Sequence, residues 1–298
     1  MIQINELLEK HRIHSNRFTP KKLTFIGVGD KDVYNITASF TFNDHELLAG
    51  RIESRHDEQS VIGFFEEEKE NIWVMVPDAI CLPLQDPFVT FIDNQLIIGG
   101  VEVHFEESKA HWRTVFYRLI TISEVEKVFT GPWGMKDLRI KQLNNGQILV
   151  LTRPQGDKGG RGKMGACIVD HLGQLTIKAI DHAPLLENQF SDEEWGGANE
   201  IHCIDDKVFV LGHAAKFDDF GNRHYYALTF ELKVPSFEIR SPKIIAERKD
   251  FAEGPAKRED LYDVVFSGGI EIKDDEAMLF AGISDAGAQK IKIENPFR

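Results

Sequence analysis

The sequence predicts an all-β fold: a five-bladed β-propeller preceded by a short N-terminal helix. Three observations predict it. From Leu23 onward, short apolar or alternating runs are separated by Gly, Asn, Asp and Pro turns, the texture of a sandwich, a barrel or a propeller. No run between Leu23 and Phe297 reads as a long helix. A small polar signature recurs five times before an apolar strand pair: Asp32-Val33-Tyr34-Asn35-Ile36, Asp86-Pro87-Phe88-Val89, Asp137-Leu138-Arg139-Ile140, Ala198-Asn199-Glu200-Ile201 and Asp263-Val264-Val265-Phe266. Its markers stand at positions 32, 86, 137, 199 and 263, a step that fits one four-stranded blade plus loops. On this reading each innermost strand begins at the same end of a central channel and aims its polar first residue into it.

Residues 1–22 form the helix and lead-in, and residues 23–298 a single propeller. In Ile4 to His14, the residues Ile4, Leu7, Leu8 and His11 share one face, with Glu6, Glu9 and Lys10 opposite. That is a short amphipathic helix, suited to covering the body of the protein or, in a homo-oligomer, to a contact between copies. Thr19-Pro20-Lys21-Lys22 ends it. The expected strands are Leu23–Val28, Thr37–Phe42, Glu46–Ile52, Val61–Glu67, Ile72–Val76, Phe88–Ile92, Leu96–Phe105, Val115–Ile122, Arg139–Leu143, Ile148–Thr152, Met164–Asp170, Ile201–Ile204, Lys207–Leu211, Tyr225–Leu232, Lys243–Glu247, Val264–Ile272, Ala277–Ile283 and Lys290–Ile293.

Of 298 residues, 42% are hydrophobic and 28% charged, with a net charge of −13. The composition is that of a soluble globular protein. The acidic balance argues against a nucleic-acid partner, which requires a basic surface. There is neither a signal-peptide core nor an apolar run of membrane-spanning length, so a cytoplasmic protein without a membrane partner is expected. Cys81, Cys167 and Cys203 have no zinc or disulfide spacing; beside apolar runs, they are expected to be buried free thiols. No ligand cluster demands a metal.

The stretch Leu84 to Ile92 carries the first chemical signal. Pro87 biases Asp86 toward an extended conformation at the start of a buried strand. A carboxylate so placed suits a general acid; Asp before Pro is also a common turn signal. Between two strands, Gly50 to Ser60 is dense in charge of both signs, including Arg51 and Glu53. It reads as a sugar-binding lip or as a solvated hairpin tip. Asp137 and Arg139 alternate on to one side of the third inner strand, as a site or a local ion pair. The Gly-rich, basic segment Thr152 to Lys163, with Arg153, lacks the strand–loop–helix context of a P-loop and reads as a basic hairpin near an oxyanion. Trp195 offers a plane for a pyranose face beside Asn199. His213 occupies a strand end, and Lys257 and Arg258 precede the fifth marker. Arg139, Arg153, His213, Lys257 and Arg258, gathered at one mouth of an acidic protein, would hold a small anion, phosphate first. One acid plus a phosphate pocket suits inverting phosphorolysis, whereas inverting hydrolysis needs a second carboxylate to activate water.

Together these stretches resemble, over essentially the whole chain, the β-1,2-mannoside phosphorylase and mannosyltransferase-phosphorylase family, formerly an uncharacterised domain family. It is similar in turn to the bacterial mannoside phosphorylases of the five-bladed glycosidase-like propellers. The matching segments are Ala49 to Arg55, Gln85-Asp86-Pro87-Phe88, Met135 to Arg139, Thr152 to Gly156, Trp195 to Glu200, Leu211-Gly212-His213, Ala256-Lys257-Arg258, Asp263 to Gly269, and Gly282 to Asp285. The chain departs from the bacterial pattern at Gln85 and Phe88, where Glu and Arg are common, and at Ile140. The resemblance implies that Asp86 is the general acid, protonating the glycosidic oxygen through a sugar hydroxyl. It also implies that Arg139, Arg153, His213, Lys257 and Arg258 bind phosphate, and that Arg51, Asp137, Asn199 and Asp263 contact the mannosyl unit. The expected activity is phosphorolysis of a β-mannoside to α-mannose 1-phosphate, with inorganic phosphate as co-substrate and no cofactor. The alternatives are a hydrolase of the same architecture, with Asp137 or Asp263 as base, and a non-catalytic carbohydrate-binding propeller. Nucleotide-sugar transfer is a variant of the first.

Overall fold

The computed structural model describes residues 2–14, 18–107 and 109–298, the side chain of His14 apart. The chain opens with helix α1 (Ile4–His14), followed by β1 (Lys21–Lys22). The first blade holds β2 (Thr24–Ile26), β3 (Asp32–Tyr34), β4 (Phe40–Phe42), β5 (His45–Glu53), β6 (Ser60–Lys69) and β7 (Ile72–Met75). Here β3 and β4 share the inner edge of β5, and β2 runs parallel to β7 at the outer edge. The second blade is β8 (Gln85–Ile92), β9 (Gln95–Glu106), β10 (Lys109–Thr121) and β11 (Glu124–Thr130). The third is β12 (Arg139–Gln142), β13 (Ile148–Thr152) and β14 (Gly165–Val169), followed by the short helix α2 (Ile177–His182) in place of a fourth strand. The fourth is β15 (Glu194–Ile204), β16 (Lys207–Phe217), β17 (Arg223–Lys233) and β18 (Glu238–Ala246); the fifth is β19 (Val265–Lys273), β20 (Glu276–Ile283) and β21 (Gly287–Glu294).

The five-bladed expectation holds, and β1 completes it. Lys21 and Lys22 pair antiparallel with Lys290 and Gln289 of β21, so the start of the chain supplies the outer strand of the last blade. Radial repetition of this kind leaves only short, protected strand edges. The apolar core is divided into clusters between adjacent blades, for example Phe88, Phe116, Leu138, Ile140 and Val150 between the second and third.

Helix α1 covers the body. Ile4, Leu7 and Leu8 are buried in the cluster shared with Val210, Leu228 and Ile244 of the fourth blade. Arg12 donates to both carboxylate oxygens of Glu247, at 2.9 and 2.6 Å, and His11 Nε2 bonds Asp250 at 2.7 Å. His11, Glu247 and Asp250 could group around a metal ion, but Glu247 already holds Arg12 and Lys249. That pairing fits a latch between helix and propeller.

Several expectations change. Cys81 is exposed, because it lies in the irregular segment between β7 and β8 rather than in a strand. Cys167 and Cys203 are half-buried, and all three thiols are free. The β9–β10 hairpin runs past the expected ends, and β11 and α2 were not anticipated. Their sequences are too polar or too short to carry a clear period. Among the described residues, no helix is long and apolar enough to cross a membrane.

Candidate active site

Three of the inner strands, β8, β15 and β19, are interrupted by irregularities in their pairing. In β8 the pairing with β9 shifts between Gln85 and Phe88, leaving Asp86 and Pro87 outside the ladder. In β15 it shifts between Ala198 and Glu200, leaving Asn199 out. In β19 it shifts between Ser267 and Gly269. Bulges of this type re-aim a side chain at the rim of a closed sheet. Asp86 is therefore left-handed, φ +51°, and not extended. Pro87 disfavours the right-handed helical region for Asp86, and Asp tolerates the left-handed one when its side chain is held locally. Asn35, Asp137 and Asp285 are also left-handed, at φ +46°, +60° and +50°.

Asp86 is buried, and both of its hydrogen bonds fall on Oδ1: from Asn35 Nδ2 at 2.7 Å and from Arg51 Nη1 at 3.1 Å. Oδ2 has no hydrogen-bond partner among the described residues. Arg51 lies over the Tyr34 ring and donates to Glu53 through Nε and Nη2. Glu53 is fully enclosed, and Tyr34, Ser60 and Lys257 also donate to it. Burial pushes its carboxyl upward, but Arg51 and these donors outweigh that and hold it below the usual range. Lys257 also reaches Asp57 O at 2.9 Å and Glu58 at 3.1 Å. Asp285, on the turn between β20 and β21, completes this half. Burial raises its pKa to about 6, with Arg51 opposing and Asp86 adding to the rise.

The second half is cationic. Arg139 and Arg153 are each 2% exposed. Arg139 lies 4.4 Å from the centroid of the Phe88 ring, donates Nε to Asn199 O at 2.8 Å and Nη1 to Leu138 O at 2.9 Å. Arg153 donates Nε to Gly196 O at 2.7 Å. Asp137 stands 3.2 Å from Arg153 Nη1 and 3.7 Å from Arg139 Nη2. Burial would raise the Asp137 pKa, but Arg153, Lys136 and Arg139 bring it down to about 2. Burial lowers the Arg139 pKa, with Asp137 and Asp86 partly restoring it. The buried nitrogens Arg139 Nη2 and Arg153 Nη1 make no hydrogen bond among the described residues and meet only the Asp137 ion pair. Two such donors are a ready receptor for an oxyanion. His213 stands beside them, bonded through Nδ1 to Asn199 Oδ1 at 2.9 Å.

Asp86, Arg51, Glu53 and Lys257 thus form one group, and Asp137, Arg139, Arg153, Asn199 and His213 another beside it. Four residues stand apart. Asp263 is bonded to His224. Trp195 is buried against Phe217 and donates to Tyr225 Oη at 3.1 Å. Arg258 is half-exposed, on Asp260 and Glu58, and Asp32 is paired with Arg55. Sequence reasoning missed Asn35 and Asp285 as site residues. Each was inside a quoted segment, as a polar residue at a turn next to an apolar strand, but no spacing singled it out. A separate cleft of about 870 Å³ lies outside the ring, between α1 and the fifth blade, lined by Leu7, His11, Phe18 and Ile293; none of these site residues lines it.

Residues 10–298 match a family described as a protein of unknown function, DUF1861. No curated protein sequence matches. Among solved structures, MPT-4, a mannose phosphorylase from Leishmania mexicana in complex with phosphate, is 30% identical with a TM-score of 0.91, covering 99% of this chain and 93% of that one. MPT-1, a GDP-Man-dependent mannosyltransferase from the same organism, is 27% identical with a TM-score of 0.90, covering 99% and 95%. The β-1,2-mannobiose phosphorylase from Listeria innocua, at 12% identity and a TM-score of 0.65 over 93% and 94%, shares the fold. The chain belongs to the DUF1861 family and, with MPT-4 and MPT-1, to one group of mannose phosphorylase and mannosyltransferase propellers.

Proposed function

We propose that the protein is an inverting glycoside phosphorylase acting on β-mannosides, with the β-1,2 linkage as its expected substrate. Asp86 is the general acid and phosphate the nucleophile. A phosphate oxygen attacks the anomeric carbon as the glycosidic C–O bond breaks. The Oδ2 proton of Asp86 passes to the leaving oxygen through a sugar hydroxyl. The products are α-mannose 1-phosphate and a shortened sugar, and the same steps run in reverse.

The observation that carries this reading is the pairing of an acid that has one unbonded oxygen with two buried guanidinium groups, each of which keeps a nitrogen free of hydrogen bonds among the described residues and faces Asp137 as an ion pair. Hydrolysis would need a second carboxylate placed to activate water. Asp137 faces two guanidinium groups and Asp263 faces His224. Asp285 is on the acid's own side, under the influence of Arg51, Asp86 and Lys257, and suits a sugar hydroxyl. The phosphate bound by MPT-4 supports the same choice. In this proposal Arg139, Arg153 and His213 bind phosphate, and Arg51, Asn35 and Asp285 bind the sugar. Asp137 fixes the two arginines. Glu53 orients Arg51 and Lys257 rather than touching sugar, since five donor atoms already point at it. Asn199 fixes His213; Trp195, Asp263 and Arg258 support the rim.

The test is phosphate release from α-mannose 1-phosphate with mannose or a short mannoside as acceptor. Wild type should release phosphate only with acceptor present, and Asp86→Asn should lose about 10²- to 10⁴-fold in rate. Sugar release from β-mannosides that ignores phosphate would establish the hydrolase instead. The likeness to MPT-1 favours GDP-mannose as the second donor to assay, because its departing phosphate would use the same cations.

A further inference from the structure

His213 is held in one tautomer by a chain of hydrogen bonds that ends on the backbone. Asn199 Nδ2 donates to Ser267 O at 2.6 Å and lies 3.2 Å from Ser267 Oγ. A carbonyl oxygen can only accept, so this end of Asn199 is its NH₂ group. Ser267 Oγ in turn donates to Gly212 O at 2.6 Å. Asn199 therefore presents Oδ1 to His213, and Nδ1 must carry a proton.

The other nitrogen follows from that. The ring is 3% exposed, with Tyr225 stacked at 5.4 Å and Phe266 at 6.0 Å. The charged groups acting on it are Asp137, Arg153, Lys136 and Arg139; β15 and β19 offer it only neutral groups, Asn199, Gly197, Phe266 and Ser267. Burial, Arg153, Lys136 and Arg139 oppose an added proton and Asp137 alone favours it, bringing the pKa down to about 3. Nε2 is a bare acceptor with no partner among the described residues. The ring borders the Arg153 side chain: a Cβ placed on Gly197 would meet both His213 Cε1 and Arg153 Cδ at 2.9 Å.

Granting that Arg139 and Arg153 bind phosphate, we propose that His213 makes the pocket selective for an oxyanion that carries a proton. Phosphate and arsenate keep a hydroxyl near neutral pH and donate it to Nε2. Sulfate has none and would set an oxygen lone pair against a nitrogen lone pair in a buried site.

Titration calorimetry on the intact protein, at constant ionic strength in mildly alkaline buffers of different ionisation enthalpy, tests this. Phosphate and arsenate should bind alike and without net proton uptake, and sulfate roughly a hundredfold or more weaker. His213→Ala, with its fold checked by circular dichroism, admits water that can donate or accept, and should bring sulfate to within about tenfold of phosphate. Sulfate matching phosphate in wild type, or uptake of a proton with each phosphate bound, would overturn the selectivity and leave the phosphate pocket standing. Failure of phosphate itself to bind would overturn both.

Discussion

At the residue scale, the acid and its surroundings depend on which oxygen is occupied. Asn35 and Arg51 both bond Oδ1 of Asp86, so the side chain cannot rotate freely and Oδ2 is left without a hydrogen bond among the described residues. Nearby Asp285 has a pKa of about 6 in the fold against about 4 in an unfolded chain. Between those values the folded state binds more protons. The stabilising contribution is complete below the unfolded pKa and is lost as pH rises through the folded one. Asp285→Asn removes that loss. Urea unfolding below pH 4 and above pH 6 should find the variant gaining about 1–3 kcal/mol over wild type above pH 6 and little below pH 4, while its KM for the mannoside rises. Equal stabilisation at both pH values would contradict the assignment. The Phe88 departure from the bacterial pattern also has a physical reading at this scale, because the ring lies under Arg139 and supports it by cation–π attraction.

At the element scale, the bulges of β8, β15 and β19 decide where side chains aim, and glycines let the arginines reach the mouth. Gly197 in β15 has the Arg153 side chain and the His213 ring against it. Gly197→Ala would place a methyl group 2.9 Å from both, so one must move. Overpacking of this kind costs about 1–3 kcal/mol. The expected result is a rise of tenfold or more in the KM for phosphate, with a folded spectrum and a smaller change in the KM for the mannoside; both constants come from initial rates. An unchanged phosphate KM would mean that Arg153 does not face the anion. The strands themselves were readable, since alternation and turn residues are local signals. The bulges were not: Asp86-Pro87 reads as a turn entering a strand, and only pairing with β9 reveals that it interrupts one.

At the scale of the whole molecule, the ring closes through its own beginning. Lys21 and Lys22 pair with β21, and α1 is fastened to the fourth blade by Ile4, Leu7 and Leu8. Leu8 is 4% exposed, so Leu8→Ala should cost about 2–4 kcal/mol. Thermal unfolding should show the lowered Tm, with KM and kcat unchanged because Leu8 packs in the apolar cluster and touches none of the charged site residues. A loss of activity without a loss of stability would instead point to α1 acting on the site.

The sequence by itself determined the architecture, the helix at Ile4 to His14, and most residues of the two charged groups. Periodicity, turn chemistry and a repeated motif are properties of neighbours in the chain, so they survive in one dimension. Which of the five markers meet at the mouth was decided only by the tertiary structure. Asp86, Asp137 and Asn199 converge, while Asp32 pairs with Arg55 and Asp263 with His224, and Asn35 and Asp285 join the convergent set. Lys257 likewise sits with Glu53, more than two hundred residues away in sequence, rather than with Arg139 and Arg153. The physical reason is that a charge takes its partner wherever the folded ring brings one within reach, in its own blade for Asp32 and Asp137 and in the neighbouring one for Asp86 and Asp263. The identity of that partner depends on bulges and turns whose direction no local pattern encodes.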